Sequence, residues 1–138
     1  EFVTRKITHA VARIKYGLQK DLKLGNIDAK RDWGHASDYV EAMWLMLNNK
    51  KPKDYVISTG KHYSVKDFAK LAFKLVNLDY KKFIKTDKKF YRPSDVETLL
   101  GDCKKAKKEL KWKPKYNFHQ LVENMVKADL DFVKKEGY

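Results

Sequence analysis

Apolar positions recur at helical spacing from the start of the chain: Val3, Ile7, Ala10, Val11, Ile14 and Leu18 share one face, with Arg5, Lys6, Arg13 and Lys15 on the others. This predicts an amphipathic first helix that ends near Gly17. Leu22-Lys23-Leu24 then alternates as a short strand, and Gly25-Asn26 closes it in a turn, because both residue types tolerate positive φ. A second helix is predicted over residues 38–47, opened by a capping box of Asp38 with Glu41. Val40, Ala42, Met43, Trp44, Leu45, Met46 and Leu47 make it apolar on nearly every side, so it needs more neighbours than a small domain easily supplies. Residues 55–58, bounded by Pro52 and Gly60, read as a strand, and Ser64 with Asp67 caps a third helix whose stripe is Phe68, Leu71, Ala72 and Leu75. Phe83-Ile84 and Phe90-Tyr91 suggest short strands in a lysine-rich stretch that ends at Arg92-Pro93, where proline pushes the arginine away from helical angles. A short helix carries Ala106 and Leu110, and Asn117 with Gln120 caps a last helix that buries Phe118, Leu121, Val122, Met125, Val126 and Leu130. The pattern is one of helices mixed with short strands, α/β or α+β.

At 138 residues the chain has room for one compact domain, and 43% apolar with 13% aromatic residues supplies a core despite 36% charged side chains. Thirty-one Lys and Arg against eighteen Asp and Glu give a net charge of +13, an attractive field for nucleic acid, phosphoesters or acidic membranes. The only arginines are Arg5, Arg13, Arg31 and Arg92, so guanidinium forks are scarce. The single Cys103 excludes an internal disulfide and a cysteine-held zinc, and points to a reducing compartment, by default the cytoplasm. No apolar run approaches the roughly 18–20 residues of a membrane span. The opening Glu-Phe-Val-Thr-Arg-Lys has neither a signal-peptide core nor an initiating Met, and reads as the interior of something longer.

The glycines, at 17, 25, 34, 60, 101 and 137, are too scattered to form a dinucleotide or triphosphate cradle, and His9, His35, His62 and His119 have no metal-ligand spacing. No metal is assigned. Tyr16 and Lys20 match the Tyr-x-x-x-Lys pattern of short-chain dehydrogenases, but only fifteen residues precede Tyr16, too few for the cofactor-binding sheet such a pair requires, and the match reads as chance. Arg31 and Arg92 each lie in an irregular stretch, beside Asp32-Trp33-Gly34 and Pro93, where a fixed guanidinium suits a diphosphate. The chemistry alone equally allows Arg31 to pair with Asp32 or Asp38 and Arg92 with Asp95, and Lys6 to be an ordinary helix-surface lysine.

Phe2-Val-Thr-Arg-Lys-Ile7, Leu24-Gly-Asn-Ile-Asp-Ala-Lys-Arg-Asp-Trp-Gly-His-Ala36, the 38–47 segment, Tyr91-Arg-Pro93, Leu100-Gly-Asp-Cys103 and Trp112-Lys-Pro114 resemble the GDP-mannose 4,6-dehydratases over nearly the whole chain. The resemblance implies an extended short-chain dehydrogenase/reductase in which residues 1–138 form the C-terminal, GDP-sugar-binding part. The N-terminal NADP-binding Rossmann domain would lie outside this chain, along with the catalytic tyrosine, lysine, threonine and glutamate. It also implies that the 38–47 helix and the 55–58 strand complete that Rossmann domain, that the substrate is GDP-mannose, and that the full-length protein is a homo-oligomer, dimer or tetramer. The site residues carried over are Val3 and the Leu24-Gly25-Asn26 turn near guanine, Lys6, Arg31 and Arg92 near the phosphates, and Asp95 near the ribose. The family has a glutamate at the last position, one methylene longer. The stretch from 78 to 92 is shorter than in most members of the family. A GDP-manno-heptose dehydratase or another nucleotide-sugar enzyme is the neighbouring alternative. A basic nucleic-acid-binding module is a second class, which would show a steep loss of affinity with salt, and a non-catalytic interaction fragment resting on the apolar 38–47 helix is a third.

Overall fold

The computed structural model describes residues 2–91 and 96–136. The described residues divide into two compact units: up to Ala29, Ser64–Glu97 and from Val122 onward in the first, Lys30–Tyr63 and Thr98–Leu121 in the second.

In the first unit α1 (Val3–Lys15) buries Ile7, Ala10, Val11 and Ile14 along the predicted face and packs on α3 (Val65–Leu75). The chain leaves α1 through Gly17, whose φ of 75° costs glycine little. That turn separates Tyr16, at the helix C-cap, from Lys20, so the two do not sit one helical turn apart. β1 (Leu22–Leu24) pairs in parallel with β4 (Ile84–Thr86), Leu22 opposite Ile84 and Leu24 opposite Thr86. The α3 start has the full reciprocal box: the Asp67 N–H donates to the Ser64 hydroxyl oxygen, and the Ser64 N–H donates to the Asp67 carboxylate, both at 3.0 Å. Phe68 and Phe73 of α3 are fully buried, and Phe73 stacks on Phe83 at 5.6 Å. Truncating either phenylalanine to alanine costs about 3–5 kcal/mol. α5 (Phe118–Lys135) contributes Val122, Val126 and Val133 to this unit, and its start carries the second predicted box, Asn117 and Gln120 exchanging bonds at 2.9 Å each way.

The second unit is built on Ala42, Cys103, Ala106, Leu110 and Trp112, with Leu45, Met46, Tyr55 and Ile57 packed against them. β2 (Lys30–Arg31) pairs with β3 (Tyr63–Ser64), and α4 (Lys104–Glu109) is the short lysine-rich helix. α2 runs over Ala36–Leu47, two residues earlier than the sequence indicates. Its N-cap is His35, whose Nδ1 accepts the Ser37 N–H at 3.3 Å, and not Asp38. The Asp38 carboxylate is instead buried and accepts the N–H groups of Lys115 and Tyr116, both at 3.1 Å, while the Asp38 carbonyl accepts the Trp112 indole N–H at 2.8 Å. A carboxylate buried this deeply is worth more to backbone donors far along the chain than to an exposed cap.

Two strand expectations also fail. Residues 55–58 have the alternation of a strand but no ladder partner among the described residues, and a strand is defined by its partner. Phe90 lies in a 3-10 turn, Lys88–Phe90, closed by the Asp87 side chain accepting the Lys89 N–H at 3.0 Å. As expected, α2 is apolar beyond what its unit can cover: Val40, Met43, Trp44 and Leu47 are between 57% and 85% exposed. Among the described residues, no helix is long and apolar enough to cross a membrane.

Candidate functional site

In the first unit the structure gathers part of the expected constellation around a residue the sequence reading passed over as a strand position. Lys6, half-buried on α1, places its ammonium 3.8 Å from the centroid of the Phe90 ring. The backbone of Gly25 lies so close to the Phe90 carbonyl that a Cβ at that position would collide with it. The Leu24 carbonyl accepts the Asp87 N–H at 2.8 Å, which ties the end of β1 to the turn that presents Phe90. Lys6 and Gly25 thus meet one phenylalanine, Lys6 at its ring and Gly25 at its backbone carbonyl.

Val3, three residues before Lys6, lies half-buried on the adjoining helical turn. α1 opens at Phe2 with no side-chain cap and, among the described residues, no acidic residue in its first turn, so its early N–H groups and positive dipole end suit an anion. Leu24 is buried, with 3% of its surface exposed, so the turn offers backbone and not this side chain. Asn26 gives its side-chain oxygen to the Asp28 N–H at 3.0 Å, an Asx turn that leaves the amide nitrogen as the group it can present outward. Arg92 and Asp95 fall outside the described residues.

Arg31 belongs to the second unit, in β2, where its Nη1 donates to the Lys30 carbonyl at 2.8 Å. Its neighbour Asp32 is used structurally. The carboxylate accepts the Thr59 N–H at 2.9 Å, the Thr59 hydroxyl at 2.6 Å, the Gly60 N–H at 2.9 Å and, more weakly, the Gly101 N–H at 3.4 Å. One carboxylate therefore pins two loops. Sequence reasoning offered Asp32 only as an arginine partner; the glycines at 60 and 101, which allow backbone N–H groups to approach closely, were the available signal.

The second unit also holds a cleft of about 190 Å³ between Trp33, Thr59, Lys61, Tyr63 and the Pro114–Phe118 segment, with Tyr63 and Phe118 stacked at 3.8 Å. Electrostatic perturbations in this unit are peripheral. Hydrogen bonds from Lys53 and Tyr55, both at 2.8 Å, hold the Glu109 carboxyl below its ordinary range, and Glu41 raises Lys115 through a 2.6 Å bond. Burial raises the Tyr39 hydroxyl, helped by the negative charges of Asp32 and Asp38.

The geometry in the first unit is that of a cationic helix start without a side-chain cap, tied through Phe90 to a glycine turn. Comparison with known proteins gives it a family. A family model for GDP-mannose 4,6 dehydratase matches residues 1–125. GDP-mannose 4,6 dehydratase 1 of Arabidopsis thaliana is 54% identical over 135 residues, 98% of this chain and 37% of that protein. The GDP-mannose 4,6 dehydratase of Homo sapiens is 45% identical over 150 residues, 96% of this chain and 40% of that one. The chain spans well under half the length of these relatives. Among solved structures, RMD from Pseudomonas aeruginosa complexed with NADPH superposes with a TM-score of 0.85 at 21% identity, over 95% of this chain and 43% of that one. The dTDP-glucose 4,6-dehydratase of Bacillus anthracis in complex with NAD gives 0.75 at 23%, over 96% and 40%. These two likenesses show a shared fold, which this chain has in common with less than half of each of those longer chains. With a family model spanning residues 1–125 and relatives 45–54% identical along almost its entire length, the chain belongs to the GDP-mannose 4,6-dehydratase family.

Proposed function

We propose that residues 1–138 are the nucleotide-sugar-binding part of an enzyme that converts GDP-mannose to GDP-4-keto-6-deoxymannose. The observation that carries this reading is the Lys6–Phe90–Gly25 cluster at an uncapped helix start, in a chain 54% identical to a GDP-mannose dehydratase. In this reading the diphosphate of the substrate meets Lys6, Arg31 and Arg92, the guanine lies by Val3 and the Leu24-Gly25-Asn26 turn, and Asp95 faces the ribose. Charge-assisted bonds from guanidinium and ammonium are roughly twice as strong as neutral ones, and the α1 N–H groups add acceptor-seeking donors next to Lys6. Neutralising the diphosphate fixes the sugar so that its C4, C5 and C6 are presented to chemistry supplied elsewhere in the protein.

Bound elsewhere in the protein, NADP would supply the redox chemistry, taking the hydride from C4 and returning the same hydride to C6 once water is lost across C5 and C6. No described residue here fits the dinucleotide: the glycines are dispersed and form no phosphate-cradling turn, so it is assigned to a Rossmann domain outside this chain. The catalytic residues belong there too, and this chain alone should not turn over substrate. The exposed face of α2 and the unpaired 55–58 segment are the surfaces such a domain would cover. A homo-oligomeric full-length enzyme in the cytoplasm completes the proposal, and light scattering and cell fractionation test those two points.

Calorimetry on the intact enzyme tests the grip. Lys6→Ala, Arg31→Ala and Arg92→Ala should each weaken GDP binding by about tenfold or more. Unchanged affinity in all three would remove the diphosphate assignment. The relatives' names favour mannose over manno-heptose, and assaying both GDP-sugars with the intact enzyme would reverse that if the heptose turned over faster.

A further inference from the structure

We propose that Phe90 is a positioning residue that holds the Lys6 ammonium ready for an anion; the proposal rests on the diphosphate reading of Lys6. Four lysines end on carboxylates, Lys53 on Glu109, Lys85 on Asp21, Lys104 on Asp102 and Lys115 on Glu41, and two donate to backbone carbonyls, Lys15 to Val76 and Lys105, which also lies 5.0 Å from the Tyr55 ring centroid, to Asp54. Lys6 has no carboxylate partner among the described residues, and its ammonium lies over the Phe90 ring face at 3.8 Å.

The difference in holder has a chemical consequence. A carboxylate neutralises an ammonium and occupies its N–H donors, so a lysine held that way has little left for a ligand. A ring face attracts the charge through its quadrupole, yet offers no lone pair and carries no net charge. The ammonium stays +1 and keeps donors directed away from the ring for phosphate oxygens. Lysine ordinarily loses considerable side-chain entropy when a ligand immobilises it. Ordering the chain on Phe90 removes part of that loss before the ligand arrives.

Phe90 itself is held by its backbone. Its N–H donates to the Asp87 carbonyl at 3.0 Å, the Tyr91 N–H donates to the Lys88 carbonyl at 3.0 Å, and the Asp87 N–H donates to the Leu24 carbonyl at 2.8 Å. Its carbonyl abuts Gly25. Phe90 is 45% exposed and outside the buried core, so changing its ring leaves the core intact.

The test is a double-mutant cycle in the intact enzyme, read by GDP calorimetry and by steady-state kinetics with GDP-mannose. Phe90→Leu, which keeps bulk and loses the quadrupole, should raise Kd and KM together about fivefold while kcat moves less than about twofold. Phe90→Tyr should restore wild-type affinity. In the Lys6→Ala background, Phe90→Leu should have no further effect. An undiminished effect there would mean that Phe90 acts without Lys6, and an unchanged Kd for Phe90→Leu, or a loss shared equally by Phe90→Tyr, would also overturn the proposal. If Lys6→Ala left GDP affinity intact, the diphosphate reading of Lys6 would fail first, and the positioning role with it.

Discussion

Removing a half-exposed arginine should cost this fold more than neutralising the buried acid it faces. Asp129, on α5, is 1% exposed, accepts the Thr8 hydroxyl at 2.6 Å and lies 2.9 Å from Arg5 Nη2. The arginine approach is an ion pair and not an aligned hydrogen bond, since Asp129 Oδ1 has no donor in line with it. Arg5 has other support: its side chain is 46% exposed and lies 5.4 Å from the centre of the Phe132 ring. Thr8 also has an alternative acceptor in the Thr4 carbonyl at 3.2 Å. Arg5→Ala therefore strands a buried carboxylate on one hydroxyl, whereas Asp129→Asn strands nothing. Breaking a buried pair costs about 3–5 kcal/mol, and solvent screening at Arg5 reduces this to about 2 kcal/mol. Asp129→Asn keeps the volume; with its amide oxygen turned toward Arg5, its N–H donates to the Thr8 hydroxyl oxygen while that hydroxyl donates to the Thr4 carbonyl, so the change should cost about 1 kcal/mol or less. In the Asp129→Asn background, Arg5→Ala should cost under about 0.5 kcal/mol. Denaturant unfolding of the intact protein measures all four corners. The reasoning is refuted if Arg5→Ala is no costlier than Asp129→Asn, or costs the same in both backgrounds.

Further expectations follow from single contacts. Asp32→Ala frees the Thr59 and Gly60 N–H groups and should destabilise by about 3 kcal/mol, with faster tryptic cleavage after Lys61; an unchanged cleavage rate would contradict the two-loop role of this carboxylate. Ser64→Ala and Asn117→Ala each remove a helix cap and should lower stability by about 1 kcal/mol, visible as separate, additive shifts in unfolding midpoint. Glu109 is held below its ordinary value of 4.5 by Lys53 and Tyr55, so its contribution is complete above that pH and is lost as pH falls through the lowered value. Glu109→Gln should flatten the acid limb of the stability profile below roughly pH 5, and an identical limb would exclude the contact.

The regular elements were legible where one local rule sufficed. Ser64 with Asp67 and Asn117 with Gln120 form the reciprocal caps their spacing promised, and the Val3–Lys15 stripe buries the face it marked. Asp38 defeated the same rule. Its spacing to Glu41 was right, but Lys115 and Tyr116, more than seventy residues away, compete for the carboxylate, and no local pattern reports that. The 55–58 segment failed for the opposite reason, having strand-like residues without a partner to make them a strand. At the candidate site the sequence supplied Lys6 and Gly25 through resemblance but missed Phe90 as their common neighbour. An aromatic residue in a lysine-rich stretch reads as packing until the fold shows which cation lies on it.

The contact between Gly25 and the Phe90 carbonyl narrows what variation this protein tolerates. At most glycines the constraint is a torsion angle, which asparagine can sometimes accept; at Gly25 the obstacle is another segment's backbone, indifferent to the chemistry of the newcomer. A saturation library at position 25 should return glycine alone, unless a companion change re-routes residues 88–90. Such a rescue would displace the ring beneath Lys6, so folded survivors with altered nucleotide affinity should carry lesions at both places.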